Sequence, residues 1–359
     1  MDTLKVGVVG LGYTVGVAKR HIAAYKATEG VKITALYDII DGRAADYAQK
    51  SSLDPSVVCS SLEQLFERVD ALSITVPNYM HGDIVKKAVD HNKHFICEKP
   101  MALTHKEAQD IYNYVKNHKN KVVSLIGFNY RDIPAMRYAK SIIDSGKIGK
   151  VYTCVQQLGG SRIADPQGVM REWRMDLKQS GTGALADFGC HILDLSDFLL
   201  SGTNGKIKQV QGFKNTFIKE RNRIGGGGRD PVTNEDCTVF NAITESGTLL
   251  SFHTSRIGMT NESLQIIAEG GMLVFNSGTE GKLGIQLKDK NGRYTGPMAF
   301  EDVPAEFQEG KNGKGLVLEL LKCIREGAKP ERDLEQGVYI QYLLDKINES
   351  MEKGTTLTI

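Results

Sequence analysis

From residue 4 to about residue 126 the chain repeats one rhythm: a short, solidly apolar run rich in β-branched residues, then a segment with apolar positions three and four apart. The apolar runs fall at 4–9, 31–37, 71–76, 94–97 and 122–126, with a weaker one at 57–59. Strands without polar alternation are buried on both faces, as in parallel sheets covered by crossover helices. Helical candidates separate them at 15–26, 42–50, 80–91 and 105–118.

After Phe128 the rhythm changes. Residues 134–145 read as a helix, and the runs at 151–158, 209–219, 237–244, 248–255, 264–268, 272–275 and 283–287 alternate, several joined by short links such as Glu245-Ser246-Gly247. This predicts a mostly antiparallel sheet. Two of its strands carry apolar residues on both sides (Val239 and Ile243 against Phe240 and Ala242; Leu249 against Leu250 and Phe252), so helices are expected on one face and a second subunit on the other. Helices at 316–325 and 334–351 close the chain. At 359 residues the chain exceeds the roughly 250–300 that one core organises, and two domains are expected, 1–128 and 129–359.

Charge and cysteines narrow the function. Lys and Arg number 45 against 43 Asp and Glu, a formal +2 that gives no field for nucleic acid or an anionic membrane. Six dispersed cysteines form no C-x-x-C pair and no metal-type spacing, so reduced thiols and no metal site are expected. The amino terminus runs directly into a strand without a basic leader, and no apolar stretch approaches a membrane span. A cytoplasmic, small-molecule protein is the expectation. Gly225 to Gly228, flanked by Arg223 and Arg229, reads as a flexible surface loop.

The first strand-to-helix turn reads Gly10-Leu11-Gly12-Tyr13-Thr14-Val15-Gly16. Gly10 can make the tight turn, Gly12 can let backbone approach a pyrophosphate at the helix start, and Gly16 would permit close packing of that helix on the sheet. The next strand ends in Asp38, where a carboxylate can accept from both adenine-ribose hydroxyls. The same residue can be a helix cap or turn residue. Its charge repels a 2′-phosphate and favours NAD over NADP, although Arg43 lies nearby. Thr75, Pro77, Asn78 and His81 leave a strand at the carboxyl edge, where open α/β sheets bind ligands. Asn78 is equally a cap for the helix that follows.

The strand at 94–97 runs into Glu98-Lys99-Pro100, where the proline stops pairing and tends to hold Lys99 extended. Further on, Asp187 and His191 are four apart in a segment of helical spacing after a glycine-rich run, so they would share a face. An Asp can orient an imidazole and raise its proton affinity, which suits a base that must deprotonate a hydroxyl near neutral pH. Taken alone, such a pair is more often a surface contact.

Gly10-Leu11-Gly12, Glu98-Lys99-Pro100 and Asp187-Phe188-Gly189-Cys190-His191 together resemble the three signatures of the Gfo/Idh/MocA oxidoreductases, across nearly the whole chain. The resemblance implies an amino-terminal Rossmann domain, a doubly wound parallel sheet. It implies a carboxyl-terminal α/β domain on a large open antiparallel sheet used for dimer or tetramer contacts. It further implies that Lys99 binds the reacting hydroxyl, His191 is the acid/base, and Asp187 binds substrate or steers the histidine. Trp173-Arg174 resembles the family's Trp-Arg segment. Two departures are visible: Gly16 replaces the tighter final spacing of the first motif, and Thr182 interrupts a glycine run.

The resulting expectation is an NAD-dependent dehydrogenase moving a hydride to or from a secondary alcohol carbon of a sugar or cyclitol. Candidate cofactor contacts are Gly10, Gly12, Tyr13, Thr14, Val15, Asp38, Thr75, Pro77, Asn78, His81, Glu98 and Lys99. Candidate substrate contacts are Lys99, Asn129, Arg131, Arg162, Trp173, Arg174, Asp187 and His191, with Tyr130 alongside. Polyol recognition needs polar groups around a ring and often an aromatic face. Each arginine could equally make a structural ion pair. Two other readings stay open: a redox-assisted sugar lyase or glycosidase with retained NAD, and a non-catalytic NAD-binding regulator.

Overall fold

The computed structural model describes residues 3–13, 15–258 and 262–359. They form two compact units, one of residues 1–132 and 310–341, the other of 133–309 and 342–359. A single cut after residue 128 is therefore corrected: the chain returns to its first unit near the end.

The first unit holds β1 (Leu4–Val9), α1 (Val17–Lys26), β2 (Val31–Tyr37), α2 (Arg43–Lys50), α3 (Leu62–Arg68), β3 (Ala71–Ile74), α4 (His81–Asp90), β4 (His94–Cys97), α5 (His105–Asn117) and β5 (Ser124–Ile126). Its five strands are parallel in the order β2-β1-β3-β4-β5. The weak run at 57–59 contributes only an isolated bridge, Leu36 to Val58. Ser61 and Thr104 start α3 and α5 by accepting backbone N–H bonds from Gln64 and Glu107.

The second unit holds α6 (Pro134–Asp144), β6 (Val151–Gly159), α7 (Leu177–Ser180), α8 (Cys190–Asn204), β7 (Ile207–Asn215), β8 (Glu220–Asn222), β9 (Arg229–Pro231), β10 (Cys237–Thr244), β11 (Leu249–Ser255), β12 (Ser263–Ala268), β13 (Gly271–Asn276), β14 (Leu283–Leu287) and β15 (Ala299–Glu301). Then α9 (Lys314–Glu326) rejoins the first unit, and α10 (Leu334–Lys353) passes from the first into the second before β16 (Leu357–Thr358). The large sheet has nine strands in the order β15-β14-β13-β12-β6-β11-β10-β7-β16, and only β6 with β11 pair in parallel. The glycine stretch read as a loop is the tip of the β8–β9 hairpin.

The return of α9 has a packing reason. Leu316, Val317, Leu320 and Leu321 join the core built by Val6, Val8, Ile22, Leu36 and Leu125. Just beyond it, fully buried Arg332 makes a two-pronged ion pair with Asp132, both bonds 2.8 Å, and donates to Glu319 at 2.7 Å and to the Phe128 carbonyl at 3.0 Å. Removing one partner of such a buried pair typically costs about 3–5 kcal/mol, since the other charge is left uncompensated.

The central strands of the nine-stranded sheet alternate between a buried and a more exposed face. One face carries buried Val210, Ala242, Leu250, Ile266 and Leu273, with Phe240 stacked on Phe252 at 4.7 Å. The opposite face presents the cross-strand rows Phe213–Val239–His253–Gln157, Gln211–Asn241–Ser251–Val155 and Ile243–Leu249–Thr153–Ile267. None of these residues is fully buried, and none is Asp, Glu, Lys or Arg. All six cysteines are free thiols. Among the described residues no helix is long and apolar enough to cross a membrane.

Candidate active site

Because β1 to β4 are parallel, the residues after each strand share the carboxyl edge of one sheet: the glycine turn, Asp38, the 75–78 turn and Lys99. Gly10 has φ 88°, and a β-carbon there would sit 2.7 Å from the Val76 backbone nitrogen, so only glycine fits. A β-carbon at Gly12 would meet nothing within 4 Å. The first turn of α1 has no side-chain cap, which leaves its amides for another acceptor. Open space beside uncapped helix amides fits a pyrophosphate. Gly16 is corrected: it is the left-handed N-cap of α1 (φ 66°) with open space beside it, so it serves backbone conformation rather than helix–sheet packing.

Asp38 is anchored more firmly than its sequence position implies. One carboxylate oxygen accepts from the Leu11 amide at 2.6 Å, the other from Ile40 N–H at 2.8 Å, and the Arg43 guanidinium lies 3.3 Å away. A carboxylate has about four acceptor positions, so it retains capacity toward a ribose. Half-exposed Tyr13 stacks on Tyr47 at 5.2 Å and donates to Asp46, which raises its phenol to about 12. Arg43 lies 5.5 Å from the Tyr13 ring centre, and the Tyr47 hydroxyl donates to the Gly12 carbonyl at 2.9 Å. Tyr47 was missed by the sequence reading; it sits on α2 with no motif around it. Val15 is exposed in this turn, and Thr14 lies outside the described residues.

The Thr75 hydroxyl donates to the Gly10 carbonyl at 2.5 Å, tying the end of β3 to the glycine turn. Asn78 is buried in a 3-10 turn, Asn78–Met80, that follows Pro77; it does not cap α4, whose N-cap is Met80. His81 is corrected as a direct cofactor contact. Its ring is fully buried, with Nε2 3.0 Å from the Val76 carbonyl and Nδ1 3.0 Å from that of Pro100. It braces the 76–78 turn against the loop that carries Lys99. Burial, opposed by the two backbone carbonyls and Glu98, holds its pKa below the ordinary histidine value.

Glu98 and Lys99 leave β4 together, and the Lys99–Pro100 peptide is cis. The Glu98 side chain is 15% exposed and fits because residue 127 is glycine: a β-carbon there would approach the carboxylate to 2.9 Å. Of the residues beginning the Asn129–Asp132 turn, Asn129 and Tyr130 are half-buried. Arg131 is buried within the first unit and donates to the Glu331 carbonyl at 2.9 Å.

In the second unit Asp187 lies in a π-helical turn, Leu185–Gly189, that continues directly into α8, where His191 occupies the second position. Single π turns inside helices are frequent at functional sites. Asp187 is half-buried, and His191 is 7% exposed. The segment is held at its start by Glu235, whose Oε1 accepts from Gly183 N–H at 2.7 Å and Leu185 N–H at 2.9 Å. Burial raises the Glu235 carboxyl above its usual range despite those amides. Sequence reasoning missed this residue; the polar triplet Asn234-Glu235-Asp236 just ahead of a strand was the available signal.

Its neighbours fix the Trp173–Arg174 turn. Asn234 Nδ2 and Arg256 Nη1 both donate to the Arg174 carbonyl at 2.8 Å, and Arg256 Nη2 donates to Asn234 Oδ1 at 2.9 Å. The Arg174 guanidinium lies 4.3 Å from the centre of its neighbour Trp173's ring. Arg162 forms an ion pair with Glu172, the structural alternative left open for it.

Comparison with known proteins agrees with this organisation. Residues 4–125 match the profile of the oxidoreductase family with an NAD-binding Rossmann fold, and residues 136–274 match the GFO/IDH/MocA C-terminal domain. A levoglucosan dehydrogenase from Pseudarthrobacter phenanthrenivorans is 27% identical, covering all of this chain and 99% of its own. A glucose-6-phosphate 3-dehydrogenase from Bacillus subtilis is 25% identical over 56% of this chain and 57% of its own. The crystal structure of an oxidoreductase domain protein from Kribbella flavida superposes with a TM-score of 0.89 at 26% identity, covering both chains completely. With its NAD-binding parallel sheet and its mixed nine-stranded one, this chain belongs to the GFO/IDH/MocA oxidoreductase family.

Proposed function

We propose that the protein transfers a hydride between NAD and a secondary alcohol carbon of a sugar or cyclitol, with Lys99, Asp187 and His191 as its catalytic residues. The observation that carries this reading is the placement of Lys99 after β4, on the same sheet edge as the glycine turn and Asp38. The uncapped amides of α1 and the space at Gly12 hold the pyrophosphate, and Asp38 takes the adenine ribose. A bound nicotinamide would supply the hydride acceptor for oxidation of the carbinol carbon and the hydride donor for reduction of the carbonyl. His191 takes the hydroxyl proton in oxidation and gives it back in reduction. The Lys99 ammonium stabilises the alkoxide charge as it develops. Asp187, on the same helical segment, orients His191 or a substrate hydroxyl, and Trp173, Arg174 and Asn129 contact the substrate.

A panel of anhydrosugars, aldoses, sugar phosphates and inositols, scored by NADH formation, tests the reading. One or more should turn over steadily. Lys99→Ala and His191→Ala should each lower kcat by about 10²–10⁴-fold while NAD affinity stays near the parent's. Parent-like turnover in either variant would refute the assignment.

The uncharged outer rows on β7, β10, β11, β6 and β12 support self-association. Interface centres are depleted of charge and enriched in apolar and aromatic groups, and here Phe213, Val239 and Leu249 stand exposed on adjoining strands. A second copy of the same chain is the occupant this surface suits.

A further inference from the structure

Residues 160–172, between β6 and the Trp173–Met175 turn, form no helix or strand. Ordering such a stretch costs about 1–2 kcal/mol per residue in backbone entropy, and its middle, Asp165 to Gly168, is exposed and buries little to offset that. The apolar support is a small cluster of Ile163, Met175 and Val232, with Val169 and Ile257 packed against it. The polar contacts of the loop must therefore supply much of its order.

Those contacts converge on one side chain. Arg221 of β8 is 0% exposed, and its guanidinium sits among carbonyls of the loop. Nη1 donates to the Asp165 carbonyl at 2.8 Å and lies 3.5 Å from that of Val169, while Nη2 donates to the Ile163 carbonyl. Beside it, Asn222 Nδ2 donates to the Gln167 carbonyl at 3.0 Å, and the Asn222 carbonyl accepts from Arg171 N–H at 2.8 Å. A guanidinium has donors only, so the direction of each Arg221 bond is fixed. Two adjacent residues of β8 thus gather the alternate carbonyls 163, 165, 167 and 169.

The ends of the loop are tied as well. Arg162 pairs with Glu172. Arg171 donates to the Pro231 carbonyl of β9 at 2.9 Å and to Asp176 at 3.0 Å, so it spans the Trp173–Met175 turn. β8 and β9 pair only with each other, apart from the nine-stranded sheet, and grip the loop that leads into Trp173.

We propose that Arg221 is a positioning residue for substrate binding: it fixes the 160–172 loop and through it the place of Trp173, and so sets the affinity for the sugar without touching it. The inference rests on the reading above in which Trp173 contacts the substrate. A guanidinium suits the task because its planar fork reaches several carbonyls at once, which an ammonium or an apolar side chain does not.

Trp173 is the chain's only tryptophan, so its fluorescence reports this turn in the protein without cofactor or substrate. Arg221→Met removes every donor while keeping a long side chain. Asn222→Ala, at a half-buried position, is the gentler change and takes its place if the first variant does not fold, with shifts of the same sign but smaller. In folded Arg221→Met, acrylamide quenching of Trp173 should rise toward that of the urea-unfolded chain. For a sugar that turns over in the panel above, kcat/KM should fall by about 10- to 100-fold, mainly through KM. An arginine with a structural role alone would lower the melting temperature and leave quenching and KM at the parent's values, which overturns the proposal; raised quenching with an unchanged KM overturns it too. Parent-like turnover in Lys99→Ala or His191→Ala would remove the chemistry proposed above and leave the quenching and KM comparison readable, so the two readings fail separately.

Discussion

Gly183 lies against Glu235 so closely that a β-carbon at 183 would stand 1.9 Å from the Glu235 carbonyl oxygen. The same backbone contact lets Ala184 N–H bond that carbonyl at 3.0 Å while the Glu235 carboxylate caps the turn carrying Asp187. Gly183→Ala must push two buried backbones apart, and a loss on the order of 3–5 kcal/mol is expected. Gly202 in α8 is the control, because a β-carbon there meets nothing within 4 Å and alanine should be neutral or stabilising by about 0.5–1 kcal/mol. Unfolding free energies from urea titration of the two variants should differ by several kcal/mol, with Gly183→Ala the less stable; equal values would contradict this packing.

Asp38 bonds the Leu11 amide, and in the proposed reading it also takes the adenine ribose. Asp38→Ala should weaken NAD binding by about 10- to 100-fold, the range for losing hydrogen bonds to a charged group, and should narrow the preference over NADP as the repulsion disappears. Calorimetric titration with each dinucleotide checks both. Tighter NADP than NAD binding in the parent would remove Asp38 from the proposed role.

His94 accepts the Val123 N–H at Nδ1, 2.9 Å away, and burial with Lys93 nearby lowers its pKa below the ordinary 6.5, against the opposing pull of Asp70. The unfolded chain therefore takes up a proton first as pH falls. Its contribution to stability is complete above about pH 6.5 and declines as pH drops from there toward the depressed folded value. His94→Asn keeps an acceptor for Val123 without a titrating group. Between about pH 7.5 and about pH 5 the parent's melting temperature should fall more than the variant's. Parallel curves would show that His94 does not titrate differently on folding.

For the sheet face, Val239→Arg or Leu249→Lys places a charge where Phe213, Ile243 and His253 are neighbours. Light scattering coupled to size exclusion should show the parent as an oligomer and the variants shifted toward monomer. A monomeric parent at micromolar concentration would show that another surface or none is used.

The sequence made the first unit's sheet and most of its helices legible because fully buried strands and their crossovers carry strong local periodicity. Residues 62–68 were overlooked because Leu62, Leu65 and Phe66 span barely two turns, too short for a period to register. That α9 packs on Val6 and Leu36 could not be read locally, since an amphipathic helix does not say whose core it joins. The glycine turn, Asp38 and Lys99 were singled out from short motifs, and the structure gathers them at one sheet edge. Glu235 was hidden because its partners Gly183 and Leu185 lie about fifty positions away. His81 had the polarity expected of a ligand contact, but its two ring nitrogens face backbone carbonyls inside the fold.

The late return of α9 and Arg332 makes residues 133–309, the larger part of the second unit, an insertion between Asp132 and its ion-pair partner 200 positions later. A ribosome emitting this polypeptide has therefore delivered the glycine turn and Lys99 long before it delivers the leucines and the guanidinium that finish their surroundings. The nascent cofactor module must wait, part of its apolar surface uncovered, while the inserted unit is made. A fragment ending at residue 128 would be frozen in that waiting state, whereas joining 1–132 to 310–341 through a short tether restores both halves of the buried charge pair.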